Sequence, residues 1–347
     1  MHCVSGSRET GHQRPDQTGL RTPAHTPLES IERPFGRTTL SRALQALTAI
    51  ASVAILGWCV SLAWTKVEHA DAAAVLARAP RLTAALVLLT ALSVVLSGMM
   101  FHAALAPAMR LSAVRVVGVN AVASLAAFLP FKISAFIRAA VHHRQDKAPI
   151  RLIVAWFATV GGVSLMTLTP FALLSLLLGE ANALWWIAGL GAVGIATIAA
   201  PIVAARAQRS PRLRALSLGS LDLLASQRSV ALQVVYRLLD GAGVAVRFMA
   251  AGALVGTPIS ASAAFTLAPV FVLVGSASPA GVLGAREGAL TGMAMLHLVG
   301  GLAAEDVAFV SLTVTAAEAL THIILGSACA AALRLDKALR FTLPQRA

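Results

Sequence analysis

Seven ionisable residues, Arg237, Asp240, Arg247, Arg286, Glu287, Glu318 and His322, stand in sequence that is otherwise apolar. Inside a bilayer such groups are costly, and they face one another, a water-filled cavity or a bound polar group. The three acids match the three arginines in number, as in a buried polar core of paired charges. Gln233, Arg237, Asp240 and Arg247 have offsets of 0, 4, 7 and 14, which on a helix fall within an arc of about 80°. Ser311, Thr315, Glu318 and His322 share one face of a later helix. The chemistry open to this set is electrostatic: a charge-balanced polar core. Static roles are open too. Arg237 and Asp240 can pair to hold two helices, Glu287 can stabilise a helix N-terminus, and Glu318 and His322 can satisfy each other at i, i+4. Arg286 and Glu287 are chain neighbours whose side chains diverge by about 100°. Each is therefore expected to find its own counter-charge, or a ligand to supply one; Asp240 is a candidate for Arg286, and Arg237 or Arg247 for Glu287.

Enzyme chemistry finds no constellation to work with. No His, Cys and carboxylate spacing reads as a metal site, no Gly-Lys-Ser/Thr phosphate loop occurs, and Gly281-x-x-Gly284 lacks the strand and full glycine pattern of a dinucleotide fingerprint. No catalytic residue, metal or cofactor is expected. Cys3, Cys59 and Cys329 are too scattered for a disulfide framework. The net charge is +13, but the basic residues cluster between apolar runs and aromatics are only 5%. That is the distribution of a membrane protein with basic cytoplasmic loops, not a nucleic-acid footprint.

The elements that must position these residues are membrane helices. Hydrophobic residues make up 57% of the 347, charged residues 12%, and mean hydropathy is +0.78. The expectation is an all-α, polytopic membrane helix bundle of about eight spans with re-entrant or broken helices. The spans fall near 42–63, 82–105, 152–178 (interrupted by Pro170), 183–205 (anchored at the interface by Trp185 and Trp186), 230–255, 261–277, 285–302 and 307–333. Residues 1–41, with prolines and unpatterned charges, read as a disordered cytoplasmic tail, 42–335 as the membrane domain and 336–347 as a short cytoplasmic tail. The first apolar run is too long for a cleavable signal peptide. Arg206, Arg209, Arg212, Arg214 and Arg228 put the loop 206–229 inside, and Arg334, Lys337 and Arg340 do the same for the C-terminus. Both termini are thus expected in the cytoplasm, the protein in the plasma (inner) membrane.

Two stretches depart from simple crossing. The apolar run 116–130 has 15 residues, about 22 Å of helix against a core of about 30 Å. Basic residues flank it on both sides, so it reads as re-entrant, with Pro130 near its turn or exit. Residues 131–147 follow as an amphipathic interfacial helix; Lys132 and Arg138 suit either a plain connector or headgroup binding. In 276–290, Pro279, Gly281 and Gly284 break one apolar segment, and Arg286 and Glu287 open the next. A broken helix in a bilayer needs protein or a cavity around its freed backbone, and the new helix points its N-terminal amides at whatever fills the break. The stretches 125–138 and 276–287 share one pattern of apolar run, proline, charge and apolar helix. Interrupted segments in corresponding positions point to a transporter's site.

The run Pro279-Ala-Gly281-Val-Leu-Gly284-Ala-Arg286-Glu287-Gly288-Ala-Leu290 resembles the C-terminal signature of the lysylphosphatidylglycerol synthase transmembrane-region family, the flippase-like domain proteins. The run Leu129-Pro130-Phe-Lys132-Ile-Ser134-Ala135-Phe-Ile-Arg138-Ala resembles that family's other motif, with Ser134 and Ala135 where the family usually has a glycine-glutamate pair. The resemblance covers roughly 42–335 and implies a stand-alone member without the soluble synthase domain. It implies lipid handling: movement of an amphiphilic lipid or lipid-linked intermediate between leaflets. Some stand-alone members are associated with hopanoid lipids. Membrane lipids are the implied partners, with enzymes of lipid biosynthesis as further candidates. The alternatives are a membrane-embedded enzyme that modifies a lipid headgroup, with Glu287 or Glu318 as base, and a non-transporting assembly partner in lipid biosynthesis.

Overall fold

The computed structural model describes residues 50, 53–62, 79–128, 133–278 and 283–333. All regular structure among them is helical, in twelve helices and no strand. The expected tails 1–41 and 336–347, and Pro130, Lys132, Pro279 and Gly281, lie outside the described residues.

In chain order the helices are α1 (Val53–Leu62), α2 (Pro80–Leu105), α3 (Ala113–Leu125), α4 (Ile133–Gln145), α5 (Ile150–Leu178), α6 (Ala183–Ala207), α7 (Pro211–Leu216), α8 (Ser220–Leu224), α9 (Gln227–Leu254), α10 (Ala261–Ala277), α11 (Ala285–Met295) and α12 (Ala304–Ala332). Five of them, α2, α5, α6, α9 and α12, are long and apolar enough to cross a membrane. The protein is a multi-pass, all-α membrane bundle. Polar caps set several helix starts: Ser112, Asn182, Ser226 and Ser260 each accept a backbone N–H from the first turn.

The short helices stay short. The run read as re-entrant forms a 13-residue helix, α3, about 20 Å long. The run 285–302 is not one helix. α11 ends at Met295 after 11 residues, and His297, Gly300 and Gly301 then take positive φ, which turns the chain before α12. The helix through Pro170 is continuous: the proline removes one backbone bond, a loss that membrane helices tolerate. Trp185, read as an interfacial anchor, packs inside the bundle. It is buried against Phe171 and donates its Nε1–H to Ser175 Oγ at 3.2 Å.

α2 and α9 make the most extensive helix–helix contact, and α3 lies against both α2 and α12. Backbones meet closely along α3. A Cβ on Gly98 of α2 would stand 2.8 Å from Val117 Cα, and one on Gly326 of α12 would stand 2.8 Å from Ala121 O. Small residues allow such approach where helices pack by van der Waals contact rather than by hydrophobic exclusion. α9, α10, α11 and α12 share the largest apolar core, with Phe248, Phe271 and Leu290 in it. The charged residues lie between that core and α2–α4.

Candidate functional site

Gln233, Arg237, Asp240 and Arg247 of α9 are all buried, on the one face their spacing defines. Arg237 donates from Nη1 to Asp240 Oδ2 at 2.9 Å and from Nη2 to Ser164 Oγ at 2.8 Å. Asp240 also accepts from Ser93 of α2. One turn pair further, Arg247 donates to Glu318 Oε1 at 2.6 Å, with Thr90 and Ser93 hydroxyls each 3.4 Å away.

Glu318 is the hub. Its second oxygen, Oε2, lies 2.8 Å from Arg286 Nη1. One carboxylate from α12 thus bridges guanidiniums from α9 and α11. The expected pairing of Arg286 with Asp240 does not form, because Asp240 is held by Arg237 and Ser93 while Glu318 takes Arg286. Glu318 and His322 do not bond to each other either: the two arginines occupy both carboxylate oxygens, and His322 Nδ1 has no hydrogen-bond partner.

Arg286 and Glu287 were expected to use separate partners, yet they share one. Thr315 Oγ1 donates to Glu287 Oε1 at 2.5 Å and accepts from Arg286 Nη2 at 3.3 Å. A hydroxyl can donate and accept at once, so it joins two side chains that leave the helix in different directions. Neither Arg237 nor Arg247 reaches Glu287. Its other oxygen accepts the Gly284 N–H at 2.7 Å. Gly284 has φ 80° and precedes α11, and Glu287 satisfies one of the free amides of that helix start. Arg286 itself lies over the Phe271 ring at 4.0 Å and passes Gly275, where a Cβ would stand 2.7 Å from its Cδ.

Arg138 of α4 joins the same region from the other side. Its Nη2 donates to Asn120 Oδ1 at 2.7 Å, and its guanidinium sits 4.1 Å from the Phe101 ring centre. Asn120 in turn donates to Val94 O at 2.9 Å, which fixes the amide. At the end of α4, His142 Nδ1 lies 2.7 Å from Asp146 Oδ2, and Asp146 also pairs with Arg115. Burial pushes the His142 imidazole below its ordinary value of 6.5, against the opposing pull of Asp146.

These residues enclose a cavity of about 230 Å³. Arg138, Asp240, Arg247, Arg286, Glu318 and His322 line it, with Thr90, Ser93, Ser97, Asn120 and Ser134. Arg237 and Glu287 stand one residue behind the wall. The stretches 125–138 and 276–287, alike in pattern, both contribute to this one chamber through Ala127, Ser134, Arg138, Ser276 and Arg286. Sequence reasoning missed the contributions of α2 and α3. Its available signal was Thr90, Ser93 and Ser97 at helical spacing in an apolar run, and Asn120 alone in another.

Comparisons with protein-family models, with curated proteins and with solved structures give no match to this chain. The fold and site therefore define a class and not a named family: a multi-pass helical membrane protein with an arginine-rich cavity among its helices.

Proposed function

We propose that this protein is a flippase-like lipid transporter of the plasma membrane, with both termini cytoplasmic. It carries the headgroup of an amphiphilic lipid through the cavity while the tails stay in the bilayer. The carrying observation is the cavity itself: polar and charged side chains from α2, α3, α4, α9, α11 and α12 converge on it within an apolar bundle. The short helices α3 and α11 beside it support the same reading, because interrupted helices at a polar site are a transporter device. The two motifs that resemble the flippase-like family both reach this chamber.

Fixed carboxylates favour transport over headgroup chemistry. Glu318 is clasped by two arginines and Glu287 by Gly284 and Thr315, so neither is placed as a free base.

The test is reconstitution of the full chain into vesicles with a headgroup-labelled lipid in one leaflet. Protein-dependent loss of leaflet asymmetry is the expected result. Asymmetry that persists with properly inserted protein, across anionic and zwitterionic lipids, would remove the transport reading.

A further inference from the structure

The charges around the cavity do not cancel. Arg138, Arg247 and Arg286 line it with Asp240 and Glu318, while Arg237 and Glu287 stand directly behind. Four guanidiniums therefore meet three carboxylates. Arg237, Arg247 and Arg286 each have a carboxylate oxygen at 2.9 Å or nearer. Arg138 has no acid partner among the described residues; Asn120 and the Phe101 ring hold its position and leave its charge intact.

An excess charge inside a membrane bundle is costly until a counter-charge arrives. The donors to receive one are in place. The Nε–H groups of Arg138, Arg247 and Arg286 are buried and have no acceptor, and the hydroxyls of Ser97 and Ser134 face the same space. A planar guanidinium presents a fork that fits phosphate oxygens.

We propose that the cavity binds a singly charged phosphate group, in its simplest form the phosphodiester of an anionic lipid headgroup, and that Arg138 is the residue that selects for its net charge. The lipid form rests on the transport reading above; the anion site does not. Asp240, Glu287 and Glu318 with Arg237, Arg247 and Arg286 form a neutral frame, so a zwitterionic headgroup leaves Arg138 uncompensated while an anionic one completes the balance. The cavity takes the headgroup, and the acyl chains remain outside.

The experiment measures binding, not transport. The full chain in neutral detergent is titrated with short-chain phosphatidylglycerol, short-chain phosphatidylcholine and inorganic phosphate. Phosphatidylglycerol should bind about tenfold or more tightly than phosphatidylcholine, as expected for one added charge-assisted contact. Arg138→Gln should erase that preference, Arg138→Lys should retain most of it, and Arg209→Gln, an exposed arginine away from the cavity, should leave it unchanged. Equal affinity of the wild-type chain for the two lipids overturns the proposal, as does an unchanged preference in folded Arg138→Gln. If Arg138→Gln does not fold, the wild-type preference and Arg138→Lys still decide. Inorganic phosphate that binds as tightly as phosphatidylglycerol, and competes with it, upholds the anion site but assigns it to free phosphate and removes the lipid reading.

Discussion

The two walls of the cavity are built on different principles. On the α9–α11–α12 wall, Arg247 and Arg286 share Glu318, and Thr315 ties Arg286 to Glu287. Every charge there has an opposite charge: Glu318 of α12 pairs with arginines from two other helices, and Glu287 lies 4.0 Å from Arg286 of its own helix. On the α3–α4 wall, Arg138 meets an amide and two aromatic rings, and no carboxylate among the described residues. A closed network of charges binds helices together, and removing one member leaves another stranded. A charge held by neutral groups is positioned but still available to a ligand. The first wall should therefore matter most for folding and the second for what enters.

Substitutions can break or sharpen that contrast. Glu318→Gln has the largest expected effect: it strands two buried guanidiniums, at a cost of about 3–5 kcal/mol. The membrane-inserted amount and the melting temperature in detergent should fall together. A Glu318→Gln protein as abundant and as stable as wild type would refute the hub. Next is Gly275→Ala, whose methyl meets Arg286 Cδ; displacing that side chain should cost about 2 kcal/mol, read as a lowered melting temperature. Glu287→Gln leaves one carbonyl oxygen for two donors, the Gly284 N–H and the Thr315 O–H, and loss of a charge-assisted bond should cost about 1.5 kcal/mol. Because Glu287 stands behind the wall, transport per folded molecule should hold; a selective loss of transport would move it into the site.

Arg138→Gln should cost only about 1 kcal/mol, and a loss equal to that of Glu318→Gln would erase the distinction between the walls. The smallest effect belongs to His142, outside the long spans. Its folded pKa lies below 6.5 because burial disfavours the charged ring. The unfolded chain therefore binds the proton first, and stability is full above 6.5 and declines as pH falls from there towards the folded value. His142→Gln should flatten that acid slope by less than about 1 kcal/mol. An identical slope in both proteins would show that the ring does not titrate on unfolding.

Helical class and the polar face of α9 were legible in the sequence, since burial of Gln233, Arg237, Asp240 and Arg247 follows from their spacing alone. Their partners were not. Periodicity says which residues share a face, but which helices become neighbours is set by packing, so spacing offers His322 as one partner for Glu318 whereas the fold gives it two arginines. The end of α11 was misplaced for a local reason: apolarity continues to Leu302, but Gly300 and Gly301 already mark a turn. Ser93 and Asn120 looked like minor polar residues in apolar runs, and only the closure of α2 and α3 on α9 and α4 gives them work.

The bridging carboxylate also sets an order of assembly. Arg247 and Arg286 belong to α9 and α11, whereas Glu318 lies on α12, the last of the described helices. During synthesis both arginines enter the membrane before the acid that neutralises them exists. Each unpaired arginine at mid-membrane carries an insertion penalty of about 2.5–3.5 kcal/mol. Until α12 arrives, the emerging bundle must keep α9 and α11 close to water, to the translocation machinery or to lipid phosphates. Arrival of Glu318 then locks two earlier segments at once, so membrane integration of this protein is completed by its last described helix rather than span by span.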